Sequence, residues 1–179
     1  MNQPSYADFL NSDLGRWLDE RLNAGQSDVV HDLLAHLAEQ MIEMNKERQA
    51  EAKGFLGWLE RQIGAKIGDL SNKTKLRAYY EHDLATLLEI LRQNSAKLEQ
   101  QITRAMEEEI EREFRKSADK LGPLRDKIAS TDRLIDLIVY RLYGLSGDEV
   151  AIVEGANEQA KYCTARLQAT TNATADSRR

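Results

Sequence analysis

Ser71-Asn72-Lys73-Thr74-Lys75-Leu76-Arg77-Ala78-Tyr79-Tyr80 is the stretch whose residue types suit nucleic acid best. Three cations, two hydroxyls, an amide and two tyrosines fall within ten residues, with no acid among them. Lysine and arginine contact phosphates, and short polar side chains at a helix start do the same. Tyrosine stacks on an unpaired base or packs on sugar. On this chemistry Asn72, Lys73, Thr74, Lys75, Arg77 and Tyr79 are candidate DNA contacts. The competing account is a basic loop flanked by core tyrosines.

Other reactive side chains form no constellation. His31 and His36 are five residues apart, which sets them about 140° apart around a helix, so one face cannot offer both to a metal. His82 reads as a loop histidine. Glu107-Glu108-Glu109-Ile110-Glu111-Arg112-Glu113 is a dense acidic run. Its carboxylates would surround a helix and repel phosphate. Cys163, the single cysteine, can form no internal disulfide and no zinc site alone. Glycine-rich phosphate loops and a Gly-x-Ser-x-Gly elbow are both missing. No catalytic, cofactor-binding or metal-binding residue is expected, and no enzyme.

The elements that would carry these groups read as helices. Only Pro4 and Pro123 break a chain of 179 residues, 41% hydrophobic and 31% charged. Phe9, Leu14, Trp17, Leu18 and Leu22 repeat at helical spacing, and Gly25 closes that segment. Ser27-Asp28 starts a helix along Val30, Leu33, Leu34, Leu37, Met41 and Met44, continuing toward Ile63. Gly54 and Gly57 weaken its middle. Asp83 caps the next run, whose stripe is Leu84, Leu88, Leu91, Leu98, Ile102, Met106, Ile110 and Phe114, reaching Lys120. Leu121-Gly122-Pro123 is expected to turn the chain. Leu124, Ile128, Thr131, Ile135, Ile138 and Leu142 then step by four and three, a heptad seam. Gly144 closes this helix, and Ser146-Gly147-Asp148-Glu149 is a capping box for a last one. The fold class is therefore all-α, long amphipathic helices with an antiparallel coiled-coil arm over about 83–143. Its seam is Leu124, Ile128, Ile135, Ile138 and Leu142. Residues 1–26 form a short helical opening, 27–155 the helical domain and 156–179 a flexible tail.

Several stretches, in order, resemble the C-terminal region of TaqI-like DNA adenine methyltransferases and type IIG restriction-modification enzymes. They are Phe9-Leu10-Asn11-Ser12-Asp13-Leu14-Gly15, Ser27 to Leu34, Phe55-Leu56-Gly57-Trp58-Leu59-Glu60, Ile63-Gly64-Ala65, and Leu70 to Lys75. Most specific is Thr131 to Leu145, which is similar to the family's IDxLVYxLYGL signature; Ile152-Val153-Glu154-Gly155 is similar to its IVEG close. In that family the whole protein methylates adenine from S-adenosylmethionine, and type IIG members can also cut DNA. This chain has no Pro-Pro for the catalytic tetrapeptide, no cofactor glycine turn and no Pro-Asp…Glu-x-Lys nuclease site. The resemblance thus implies a non-catalytic helical module beside the target-recognition part.

The expected partners are methyltransferase or restriction catalytic domains and target-recognition domains. A net charge of −5 argues for weak DNA binding by the chain alone. The alternative is a free-standing coiled-coil protein that assembles with itself or a protein partner, without DNA. A lone DNA-binding module and an unrecognised enzyme rank below both. Residues 1–10 do not read as a signal peptide, no run approaches the ~20 apolar residues of a membrane span, and a cytoplasmic setting is expected.

Overall fold

The computed structural model describes residues 4–155, and no strand occurs among them. The elements are α1 (Tyr6–Leu10), α2 (Asp13–Asn23), α3 (Ser27–Ile63), α4 (Lys73–Arg77), α5 (Leu84–Gln93), α6 (Arg104–Leu142) and a helical stretch over 147–155, α7. Single 3₁₀ turns lie at Ile67–Asp69, Tyr79–Glu81 and Ser95–Lys97. The all-α expectation holds. No helix is long and apolar enough to cross a membrane among the described residues. The tail expected over 156–179, with Cys163, lies outside those residues. Residues 4–155 divide into two compact units, 4–35 with 133–155, and His36–Asp132.

In the first unit, serines set the helix starts. Ser5 and Asp8 form a reciprocal capping box at α1, and Ser12 Oγ accepts from Gly15 N at 3.0 Å at the start of α2. Gly15 is required there: a Cβ would stand 2.2 Å from the Phe9 carbonyl oxygen. Leu18, Val30, Leu137 and Ile138 are the buried centre. Tyr140 meets Tyr6 edge to face with ring centres 6.0 Å apart, and the Tyr6 hydroxyl donates to the Leu145 carbonyl at 3.0 Å. Gly144, at φ 69°, ends α6 as a left-handed cap: Leu145 N donates to Tyr140 O and Gly144 N to Arg141 O, each at 3.0 Å. Ser146 and Glu149 form the expected capping box for α7. Arg141 pairs with Asp19 and Arg133 with Glu154. Tyr143 is 76% exposed.

The second unit is built on Phe55, Leu59 and Ile63 of α3, which meet Leu76, Tyr79, Leu87, Leu91, Ile110, Phe114 and Leu121 in one buried cluster. Phe55 lies 4.2 Å from Tyr79 and 6.2 Å from Phe114, ring centre to ring centre. Phe55 touches Phe114 while Glu51 pairs with Lys120 at 3.0 Å. Lower numbers on α3 thus face higher numbers on α6, and within this unit the two run antiparallel.

Two expectations are corrected here. The helix from Asp83 to Lys120 is two helices, because buried Asn94 ends the first. Its Nδ2 donates to the Ile90 carbonyl at 2.8 Å and its Oδ1 accepts from Ser71 N at 2.7 Å, an alternative to continued helix. The second correction concerns the turn at Leu121-Gly122-Pro123. The chain stays helical through Pro123, so 83–120 and 123–143 do not fold back on each other as a coiled-coil arm. Proline costs about 3 kcal/mol inside a helix, since the Asp119 carbonyl loses its donor and the ring crowds it. Burial of Leu121 and Leu124 on either side of it offsets a cost of that size, at about 1.5–3 kcal/mol for each fully buried side chain. The residues expected to form the seam lie on one helix in two units: Leu124 and Ile128 join the second unit's core, while Ile135, Ile138 and Leu142 belong to the first unit.

Candidate anion-binding groove

Within 73–80, only Leu76 and Tyr79 turn inward, to 0% and 1% exposure. Their three-residue spacing fixes the short α4 and its following turn against the core and points Lys73, Thr74, Lys75 and Arg77 outward. Asn72 precedes α4 with φ 59°, the left-handed conformation that asparagine tolerates. Asn94 holds the approach: besides accepting from Ser71 N, it donates to Ser71 O at 3.3 Å.

Tyr79 departs from the expected DNA contacts. Its ring is enclosed by Phe55, Phe114 and Tyr80, and its hydroxyl shares a 2.5 Å hydrogen bond with Ser117 Oγ. Burial pushes that hydroxyl up to about 12, so it stays protonated across the neutral range. No base can reach it. Tyr80, the neighbour that the sequence did not single out, takes the surface position. Arg125 braces it, donating to the Tyr80 carbonyl at 2.6 Å with its guanidinium carbon 5.8 Å from the ring centre.

Arg77 and Tyr80 are carried to the side of α3, where they line a groove of about 540 Å³ with Arg48 and Lys53. Ala52, Leu56 and Ile67 supply an apolar floor, and Gly57 and Gly68 leave it open. Arg48, Ala52, Leu56 and Glu60 follow one another at four-residue steps, so a single helix row presents them together. Arg48, Lys53 and Arg77 form no ion pair with any described residue. Glu60, the carboxylate in the lining, is already engaged. It accepts from Ile67 N at 2.9 Å and from Lys66 Nζ at 3.2 Å, and the Ile67 amide holds its carboxyl below the usual range. Three uncompensated cations around an apolar trough suit an anion with an apolar body.

The other charged features are quenched. The acidic run on α6 is matched by cations: Arg92 takes Glu107 at 2.6 Å, Arg104 takes Glu108 at 3.1 Å, Arg115 takes Glu111 and Lys116 takes Glu113 at 2.7 Å. A second groove between α3 and α6, of about 490 Å³ beside Trp58, holds the closed pairs Glu51–Lys120 and Glu113–Lys116. His31 and His36 are both exposed, and His36 contacts Gln40 at 2.9 Å. Groups of three side chains able to hold a metal are absent among the described residues.

Sequence reasoning found Arg77 and missed Arg48 and Lys53. Both sit in an amphipathic helix where charge is ordinary; only the chain that covers α3 makes them a site. No curated protein and no solved structure matches the chain. A family model does match, over residues 27–139, more than half of the sequence, and the chain belongs to that family, described as a domain of unknown function (DUF8810).

Proposed function

We propose that the chain is a non-catalytic helical module that contacts nucleic-acid phosphates within a DNA adenine methyltransferase or restriction-modification system, helping to position the recognition part. The observation that carries the phosphate contact is the convergence of Arg48, Lys53 and Arg77 on one groove without a carboxylate partner among the described residues. Exposed Lys73 and Lys75 extend the basic surface along α4. The link to DNA modification rests on the ordered motifs from Phe9 to Gly155 that resemble TaqI-like and type IIG enzymes. Electrostatic phosphate contacts are sequence-independent and salt-sensitive, as a positioning module requires.

Anisotropy of labelled DNA titrated with the chain tests this. Binding is expected in the weak non-specific range, about 10⁻⁴–10⁻⁶ M. Arg48→Glu/Arg77→Glu is expected to weaken it by about tenfold or more with helicity unchanged. Indifference to that double substitution overturns the reading. A second reading, assembly without DNA, draws on exposed Ile42, Tyr143 and Ile152. Light scattering on the same sample favours it if a stable oligomer forms and DNA does not bind.

A further inference from the structure

We infer that the groove holds an unpaired nucleotide, its phosphate on Arg48, Lys53 and Arg77 and its base against Tyr80 and the apolar floor. The inference rests on the phosphate-contact reading above and adds the class of ligand. Phosphate neutralisation alone needs an open basic surface. This groove has more: a floor of Ala52, Leu56 and Ile67 between the cations, with an aromatic ring at its side. A duplex shows its phosphates but keeps its base faces stacked inside, so it would leave that floor unused. A single strand offers both, and aromatic stacking is worth about 1–3 kcal/mol per base whatever the base. The volume of about 540 Å³ lies within the range of small-molecule sites, the scale of a nucleotide rather than a long track. Tyr80 is held in place by the Arg125 guanidinium, 5.8 Å from its ring centre, and by Tyr79 edge to face at 5.5 Å. An acidic peptide would satisfy the cations but has no flat apolar face for the ring.

The glycines give a clean test. A Cβ at Gly68 meets nothing within 4 Å, and at Gly57 it meets only the Arg61 guanidinium at 3.8 Å. Neither glycine has a positive φ. Gly68→Leu and Gly57→Leu therefore fill the groove without straining the backbone. The full chain is titrated against a labelled single-stranded oligonucleotide, the same sequence as a duplex, and a polyglutamate peptide. The single strand is expected to bind about tenfold tighter than the duplex. Either leucine variant is expected to remove most of that preference. A deoxynucleoside monophosphate is expected to compete where inorganic phosphate at equal concentration does not. If strand and duplex bind alike and both leucine variants are silent, the nucleotide inference fails while the phosphate reading stands. If no DNA binds, or Arg48→Glu/Arg77→Glu changes nothing, both fail. Preference for polyglutamate over the single strand also overturns the inference.

Discussion

Asn94 uses its whole amide to join two backbone segments. It accepts from Ser71 N, donates to Ser71 O and donates to Ile90 O, at 2% exposure. Removing it strands Ser71 N and Ser71 O, while Ile90 O keeps the Asn94 backbone N–H, so Asn94→Ala is expected to cost about 2–4 kcal/mol. Asn94→Asp is the sharper case. A buried carboxylate would face two carbonyl oxygens, which raises its folded pKa above the unfolded value. The deficit is then full above the folded pKa and shrinks as pH falls below it, where the neutral acid can donate once. Urea unfolding should show Asp worse than Ala at neutral pH, with the gap closing on acidification. An aspartate as stable as wild type at neutral pH would contradict the assignment. At this scale the sequence was half legible. Leu76 and Tyr79 share a three-residue spacing that marks an inward face, and Tyr79 could have been assigned to the core on that ground. Which of two adjacent tyrosines stays at the surface depends on Phe55 and Phe114, distant in sequence and present only once the chain is folded.

The long helix α6 shows why a breaker does not always break. Ile110, Phe114, Ser117, Leu121, Leu124, Ile128, Thr131, Ile135, Ile138 and Leu142 step by four and three without a change of phase. A turn at Gly122-Pro123 would have no reason to keep the two halves in register; one helix does. That phase was present in the sequence and outweighs the proline. The end of α5 was less legible, because Leu91 and Leu98 also keep helical spacing and only the contact of Asn94 with Ser71 stops the helix. The cost of Pro123 remains measurable. Pro123→Ala restores a donor to the Asp119 carbonyl and removes the ring, and is expected to stabilise the chain by about 1–3 kcal/mol. The denaturant midpoint should rise at constant slope. A loss of stability would mean that the packing of Leu121 and Leu124 requires the proline geometry.

Over the whole molecule, 30 acids against 25 cations weigh against a nucleic-acid partner. Charge distribution decides otherwise. Screening limits exposed charges to about 8–10 Å, so a phosphate feels the groove rather than the net charge. Most acids of the α6 run are matched locally, whereas the groove's cations form no ion pair among the described residues. Two substitutions separate local from global effects. Arg77→Gln and Lys116→Gln each make the chain one unit more negative, but only Arg77 lines the groove; Lys116 is paired with Glu113 at 2.7 Å. If three cations meet phosphates, log K against log salt for a single strand should have a slope near −2, from about −0.7 per phosphate. Arg77→Gln is expected to bring that slope toward about −1.4, and Lys116→Gln to leave it unchanged. Equal responses would make net charge the governing quantity and remove the groove from the argument. Unequal responses in the expected order would place the phosphate contacts on the face that α3 and α4 share.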